Sequence, residues 1–169
     1  RSIPGLEALG AKVDRSGIDY ARAQEMSRKA ADTLSRGVQF LLKKNGVELV
    51  AGEATVAGPN AVAVGGKTLA AGAIVVATGS RPREIPGFPF DGEVVLSSTD
   101  ALMLRKLPRR MLVLGGGAIG VEFSHVLNAF GVEVHLVEML DRILPLEDAG
   151  TVAVLDRALR RRGVTISTA

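Results

Sequence analysis

Apolar residues recur every three or four positions in three stretches of the chain, which is the period of an amphipathic helix. The first stretch spans residues 18–44, with Asp19 as a plausible N-cap and Asn45-Gly46 as a stop signal. The second spans residues 119–130. The third follows Asp148 and reaches about Arg162, where Gly163 ends it. Three helices are therefore predicted.

Shorter apolar runs, bounded by glycine, proline or asparagine, predict β-strands. Gly65-Gly66 separates two of these runs and predicts a two-residue hairpin, because such turns need positive φ. The continuous run 73–77 is typical of a strand buried on both faces. We expect a small meander, this buried strand and a separate set of three strands; the predicted strands are residues 47–51, 54–56, 61–64, 67–70, 73–77, 111–114, 132–137 and 164–167.

The order of these elements predicts an α/β protein with a domain boundary near Leu107-Pro108. Residues 81–108 are rich in proline and acidic turns, as expected of a linker. Ser97 to Asp100 are suited to capping a short helix over residues 101–104. We therefore assign residues 1–107 to one domain with its linker and residues 108–169 to another.

Composition excludes several classes of function. The chain has 169 residues, 47% of them hydrophobic, a net charge of +3 and no cysteine. The dispersed basic residues do not predict nucleic-acid binding, and no apolar run predicts a membrane span. The absence of cysteine favours a cytoplasmic setting and rules out a disulfide of the chain's own. Because the chain starts at Arg1 without Met, we interpret it as an internal piece of a longer protein.

The strongest chemical signal is a strand, glycine turn, helix and strand between residues 110 and 138. Gly115, Gly117 and Gly120 match the pattern G-x-G-x-x-G. In that pattern the first glycine makes a tight turn, the second admits a pyrophosphate, and the third allows the helix to approach the strand. Glu138 ends the second strand, where a carboxylate accepts hydrogen bonds from a ribose. The motif predicts a dinucleotide site.

Two alternatives stay open for this motif. A glycine-rich turn of this kind also occurs in α/β domains that bind nothing. Glu138 favours NAD over NADP because a 2′-phosphate would meet a like charge, yet Arg142 lies only four residues further on and offers a guanidinium to such a phosphate.

Several segments, taken together in their order and spacing, resemble the pyridine nucleotide-disulfide oxidoreductases. The resemblance extends over nearly the whole chain. It is strongest to those members that oxidise a dihydrolipoyl group. The segments that carry it are residues 37–47 with 52–54, residues 74–82 with 85–87, residues 97–102, residues 115–122, residues 137–138 and residues 143–145.

The resemblance implies parts of two Rossmann-like nucleotide-binding domains. Residues up to about Ser80 would be the later part of a flavin domain, and residues from about Arg109 the first half of a nicotinamide domain. The residues that the family places on FAD are Ala54, Thr78, Gly79 and Ser80. Those that it places on NAD are Gly115, Gly117, Ile119, Gly120, Glu138 and Glu122, the last near the nicotinamide and flavin.

The activity implied is oxidation of a dithiol, with electrons passing through FAD to NAD. The partner would be the dihydrolipoyl group of an acyl carrier in a multienzyme complex, and the full-length enzyme would be a homodimer. The chain lacks the family's first flavin glycine motif and its cysteine pair, and His125 and His135 do not match the catalytic histidine. We therefore expect no catalytic residue here and no turnover by the chain alone. Mercuric reductase, glutathione reductase, NADH oxidase and a non-catalytic nucleotide-binding module stay open as alternatives.

Overall fold

The computed structural model describes residue 5, residues 7–12 and residues 17–169. It divides into two compact units. One unit contains the residues up to Glu25 and Asp91–Ala169, and the other contains Met26–Phe90. The predicted boundary at residues 107 and 108 divides the chain into two nucleotide-binding domains, whereas these units are defined by contacts between residues. The boundary therefore stays a prediction.

The long helix predicted near the N-terminus is present as α1 (Tyr20–Lys44). Asp19 caps its first turn, because its Oδ1 accepts a hydrogen bond from the amide of Ala21 at 2.9 Å. At the other end Gly46 adopts φ +68°, which terminates the helix in the left-handed region. Most of the predicted apolar stripe is exposed along α1, including Met26, Leu34 and Leu41.

The unit formed by residues 26–90 contains an antiparallel sheet of three strands. These are β1 (Ala54–Gly58), β2 (Ala61–Val64) and β3 (Lys67–Ala70), in the order β1-β2-β3. Val64 pairs with Lys67 across the turn, where Gly65 and Gly66 have φ values of +56° and +76°. The predicted glycine hairpin is confirmed, as are these three strands of the meander.

Two predicted strands of this unit are wrong. Residues 47–51 and residues 73–77 are not in strands. Val75 and Val76, predicted to be buried on both faces, are 87% and 69% exposed. A strand persists only when a neighbour satisfies its backbone N–H and C=O groups, and within the described residues neither segment is paired with another strand. Apolar character alone is therefore insufficient to form a strand.

The second unit is built on a parallel sheet. After the short helix α2 (Ser98–Met103), the elements alternate as β4 (Arg110–Leu114), α3 (Ala118–Ala129), β5 (Glu133–Val137), α4 (Ala149–Arg161) and β6 (Thr165–Ser167). The strand order is β4-β5-β6, with both pairs parallel. The predicted α/β fold is confirmed, and each of these elements lies within three residues of its predicted bounds.

The core of this unit lies on one side of the sheet, beneath α3 and α4. Leu136 at the centre of β5 is fully buried, and Leu127 of α3 and Leu159 of α4 belong to the same cluster. The side chains on the other face of β4 point away from this cluster, and Leu112 there is 54% exposed. Side chains alternate between the two faces of a strand, so the sheet is covered on one face only.

Besides α1, the helices α2 and α4 also begin with side-chain caps. Ser97 and Asp100 form a capping box at the start of α2. At α4, Asp148 Oδ1 accepts from the amide of Thr151 at 2.8 Å and from its hydroxyl at 3.1 Å. The backbone hydrogen bond from Thr151, followed by the side-chain hydrogen bond, holds the pKa of Asp148 below its ordinary value.

None of the helices in the described part of the chain combines the length and the apolar character needed to cross a bilayer.

We expect Leu136→Ala to destabilise the parallel unit by about 2–5 kcal/mol, because it removes a fully buried side chain and leaves a cavity. Leu112→Ala on the neighbouring strand is the matched control and should change the free energy of unfolding by about 0.5 kcal/mol or less. Urea unfolding followed by circular dichroism measures both. Equal losses in the two variants would contradict the assignment of the core to one face.

We expect acid to weaken the start of α4. The folded pKa of Asp148 lies below its unfolded value, so the stabilisation by the cap is present above the unfolded pKa and is lost as pH falls through the folded pKa. Asp148→Asn keeps an oxygen acceptor that does not titrate. Between about pH 5 and about pH 3, the urea concentration at the midpoint of unfolding should therefore fall further for wild type than for Asp148→Asn. Parallel losses in both proteins would show that Asp148 contributes nothing to acid sensitivity.

Candidate functional site

The glycine turn begins where β4 ends, at the carboxyl edge of the parallel sheet. Gly115 has φ +105°, a conformation that side chains rarely adopt. Its amide donates to the carbonyl of Val137, the last residue of β5, at 2.8 Å. The first glycine of the motif thus reverses the chain while remaining hydrogen-bonded to the neighbouring strand.

Gly117 is the N-cap of α3 and leaves the start of that helix open. It has no side chain to cap the helix, and no atom lies within 4 Å of the position where a Cβ would stand. The first amides of a helix have no partner inside it, and they form the positive end of the helix dipole. Backbone N–H groups and open space at Gly117 together suit a phosphate group.

Gly120 brings α3 against the turn. A Cβ at this position would stand 1.9 Å from the carbonyl oxygen of Gly115 and 3.4 Å from Cγ1 of Val113. The nearest atom is backbone and cannot rotate away. The third glycine is therefore required for the approach of helix to strand, as the motif predicts.

Glu138 follows β5 and faces the turn. Its Oε2 accepts from the amide of Gly116 at 2.6 Å, and its Oε1 accepts from the amide of Leu140 at 2.9 Å. The residue is half-buried. The structure thus brings Glu138 against the glycine turn at Gly116 and fixes its carboxylate through two backbone amides.

The loop after β5 packs on the middle glycine, a feature that the motif does not predict. The amide of Leu144 donates to the carbonyl of Gly116 at 2.8 Å, and Ile143 is almost fully buried beside it. Leu144 has φ +46°, a left-handed conformation that costs a non-glycine residue about 1 kcal/mol. The signal available in the sequence was Gly116, the middle one of three consecutive glycines, at a position where the motif accepts any residue.

Ile119 and Glu122 lie one helical turn apart at the start of α3, and both are exposed. Residues three apart lie on neighbouring positions of a helix surface. Ile119 is 60% exposed although it is apolar. These two predicted site residues therefore share one region of surface next to the glycine turn.

Arg142 is held within its own loop. Its Nη2 donates to the carbonyl of Pro145 at 2.8 Å. Its Nη1 is buried and, among the described residues, has no hydrogen-bond partner. Of the three guanidinium nitrogens, one is therefore hydrogen-bonded to the backbone and a second is buried.

The two histidines lie in structural contacts of the parallel unit. Nδ1 of His125 is 2.9 Å from Nη1 of Arg162 and must accept there, since a guanidinium only donates. Nε2 of His135 is 2.9 Å from Oγ of Ser167 on the neighbouring strand. In the described residues no group of histidine and acidic side chains is arranged to hold a metal ion.

The predicted flavin residues lie in the other unit, within residues 26–90. Ala54 begins β1, and residues 78–80 lie outside any strand, with Gly79 at φ +76°. All four residues are exposed. Their assignment to FAD stays a prediction.

A groove of about 360 Å³ lies at the C-terminal end of α1, lined by residues that include Leu42, Lys43 and Leu49. It is not the glycine turn and holds none of the predicted site residues. The glycine turn presents backbone amides on an open surface rather than in an enclosed cavity. The volume of a cavity therefore does not identify this candidate site.

Fold and site together define a class of structure. The parallel β4-α3-β5 unit, its glycine turn and the acidic residue after β5 are the features of a Rossmann-like βαβ unit.

Comparison with known families identifies the class more closely. The sequence profile of the pyridine nucleotide-disulphide oxidoreductases matches residues 5–169. The chain belongs to this family. The resemblance stated from the sequence is thereby confirmed.

Curated relatives include dihydrolipoyl dehydrogenases. The chain is 41% identical to that of Chlorobaculum tepidum over 165 residues, which are 95% of this chain and 35% of the relative. It is 39% identical to that of Thermus scotoductus over 167 residues, 98% of this chain and 36% of the relative. The chain thus spans about one third of the length of the curated relatives that it matches.

Solved structures show the same fold. LpdA from Mycobacterium tuberculosis superposes with a TM-score of 0.81 at 28% identity, over 98% of this chain and 38% of that one. The HOCl-induced flavoprotein disulfide reductase RclA from Escherichia coli superposes with a TM-score of 0.74 at 28% identity, over 89% of this chain and 35% of that one.

We expect Gly120→Ala to destabilise the parallel unit by about 3 kcal/mol or more, because its methyl group would overlap the carbonyl oxygen of Gly115. This exceeds the gain of about 1 kcal/mol from placing alanine in a helix. Gly117→Ala, three residues away and facing open space, is the matched control and should stay within about 1 kcal/mol of wild type. Thermal and urea unfolding measure both, and equal stability of the two variants would contradict the tight approach at Gly120.

Proposed function

We propose that the chain is part of an NAD-linked, FAD-dependent dihydrolipoyl dehydrogenase. The observation that carries the proposal is the glycine turn with its open helix N-terminus and adjacent Glu138, found in a chain about 40% identical to dihydrolipoyl dehydrogenases. The geometry supports binding of a dinucleotide, and the relatives support the identity of the reaction.

In this proposal residues 108–169 form the first half of the nicotinamide domain. The amides at the start of α3, next to Gly115 and Gly117, would bind the pyrophosphate of NAD, and the absence of a Cβ at Gly117 would admit it. Glu138 would accept hydrogen bonds from the adenosine ribose. Ile119 would contact the dinucleotide.

Residues 1–107 would then be the later part of the first flavin-domain segment with its linker. Thr78, Gly79 and Ser80 would lie along FAD, with the backbone near Ala54. All four residues are exposed and therefore accessible to a ligand, which supports this assignment. The neighbouring apolar residues Val75 and Val76 are also exposed, and exposed apolar surface often marks a binding site.

In the parent enzyme, oxidation of the dihydrolipoyl dithiol to its disulfide would release two electrons and two protons. The electrons would pass through FAD to NAD⁺. This chain has no cysteine, so its residues would bind and orient the two cofactors and carry no reactive disulfide. Glu122, exposed near the start of α3, would lie beside the nicotinamide and the flavin. We therefore expect the chain alone to be inactive.

The partners follow from the same proposal. The substrate would be the dihydrolipoyl group on an acyl carrier of a multienzyme complex, and the full-length enzyme would be a homodimer in the cytoplasm. Another disulfide reductase of the family is the second candidate, and the superposition on RclA favours it. A non-catalytic nucleotide-binding module is the third, and it would keep the glycine turn without electron transfer.

We expect the chain to bind NADH more tightly than NADPH, because a 2′-phosphate would meet the carboxylate of Glu138. Repulsion or loss of a buried partner at this position costs about 1–3 kcal/mol, which corresponds to about 5-fold to 150-fold in dissociation constant. Arg142 should not offset this cost, since its guanidinium is bound to Pro145. Titration of each reduced cofactor, followed by nicotinamide fluorescence, measures the ratio.

In the same titration Glu138→Ala should reduce the preference for NADH. Glu133→Ala is the matched control, because it removes an equal charge from the opposite end of β5. It should keep the wild-type preference. Equal affinity of the wild-type chain for NADH and NADPH would refute the role of Glu138, and absence of binding to either cofactor would refute the dinucleotide site.

A further inference from the structure

The middle glycine of the turn is crowded although the motif leaves its identity free. Gly116 is buried. A Cβ there would stand 2.9 Å from Cγ2 of Ile143, 3.0 Å from Cβ of Glu138 and 3.2 Å from its Oε2. Gly117, one residue further on, has nothing within 4 Å. The requirement for glycine at position 116 thus comes from the protein itself rather than from an approaching ligand.

Both backbone groups of Gly116 are hydrogen-bonded to the segment that follows β5. Its amide donates to Oε2 of Glu138 at 2.6 Å, and its carbonyl accepts from the amide of Leu144 at 2.8 Å. The first contact fixes an acidic side chain, and the second fixes the loop that carries Ile143. Gly116 therefore connects the glycine turn, where we propose that the phosphates bind, to the segment that carries Glu138.

The carboxylate of Glu138 keeps free acceptor capacity in this arrangement. Each of its oxygens has two lone-pair sites. Oε2 uses one for Gly116 and Oε1 uses one for Leu140. One lone pair on each oxygen remains for a ligand with two adjacent hydroxyl groups, provided that the carboxylate stays in this orientation.

We propose that Gly116 is a positioning residue that sets the ribose recognition of this site: its amide and its missing side chain hold Glu138 in the orientation that a ribose hydroxyl requires. The inference rests on the proposed function, in which Glu138 contacts the ribose. It goes further by assigning the orientation of that carboxylate to a residue that touches no ligand. Sites of this kind depend on supporting contacts that fix the ligand-binding side chain to within about 0.5 Å.

The burial of the two neighbours determines which one would move if a methyl group were added. Ile143 is 1% exposed and belongs to the core cluster of the parallel unit. Glu138 is half-buried and is the first residue of the loop that follows β5. Displacing Ile143 would disturb close packing, whereas Glu138 is partly exposed to solvent. Gly116→Ala should therefore displace the carboxylate more than the core.

The experiment compares the affinity of the 169-residue chain for ADP and for 2′-deoxy-ADP by calorimetry. Wild type should bind ADP about tenfold more tightly or better, because a hydrogen bond to a charged group is lost with the 2′-hydroxyl. Glu138→Ala should remove this preference. Gly116→Ala should reduce it to about twofold or less, with 2′-deoxy-ADP affinity near that of wild type. A purely structural defect would instead lower the affinity for both ligands equally and leave the ratio of the two affinities unchanged.

Gly37→Ala, a glycine in α1 with open space around it, is the control for the substitution itself and should keep the wild-type ratio. If Gly116→Ala does not fold, Gly116→Ala/Ile143→Ala relieves the contact with Ile143 and leaves the contacts with Glu138 in place. That variant should also lose the preference for ADP. In the Glu138→Ala background, adding Gly116→Ala should change the ratio no further.

The outcomes separate the two proposals. If wild type binds ADP and 2′-deoxy-ADP equally, the role of Glu138 in the proposed function is wrong, and the inference is overturned with it. If wild type discriminates and Glu138→Ala does not, the ribose contact stands. The inference alone is then overturned if Gly116→Ala, or its double variant with Ile143→Ala, keeps the wild-type preference.

Discussion

The turn between β4 and α3 has no room for a side chain at Gly116 or at Gly120, and the proposed nucleotide site depends on that constraint. At Gly120 the helix approaches the carbonyl of Gly115 so closely that a methyl group would overlap it. At Gly116 the following loop and Glu138 occupy the space of a side chain. At Gly117 the space is empty and the helix amides face it. Three glycines that look equivalent in sequence thus differ in role: Gly120 permits helix packing, Gly116 permits loop packing, and Gly117 leaves open space where we propose that a ligand binds.

The arrangement of the sheet places this turn where a ligand can reach it. Parallel pairing of β4 with β5 brings the carboxyl ends of both strands to one edge, and the hydrogen bond from Gly115 to Val137 joins them there. Gly115 and Glu138, separated by a helix in the chain, consequently lie side by side. Ligands of open α/β sheets bind at this edge because the loops and helix N-termini converge on it.

The sequence predicted the parallel unit well because the local signals for each helix and strand agree with the element that forms there. Helical periodicity, the cap at Asp148 and the stop at Gly163 match the bounds of α4, and the glycine motif located the turn between β4 and α3. The failures lie at residues 47–51 and 73–77, where apolar composition predicted strands that have no partner. Strand formation depends on a neighbour that a local pattern does not contain. The role of Gly116 was missed for a related reason, since its neighbours come from a loop more than 20 residues away.

The central claim is that the open start of α3 and Glu138 form one dinucleotide site. The most direct measurement is an amide NMR titration of the ¹⁵N-labelled chain with NADH. The account predicts that the largest shifts fall on residues 115–120 and on Glu138 and Leu140, with small shifts in β1, β2 and β3. Shifts concentrated in the meander, or none at the glycine turn under saturating NADH, would contradict it.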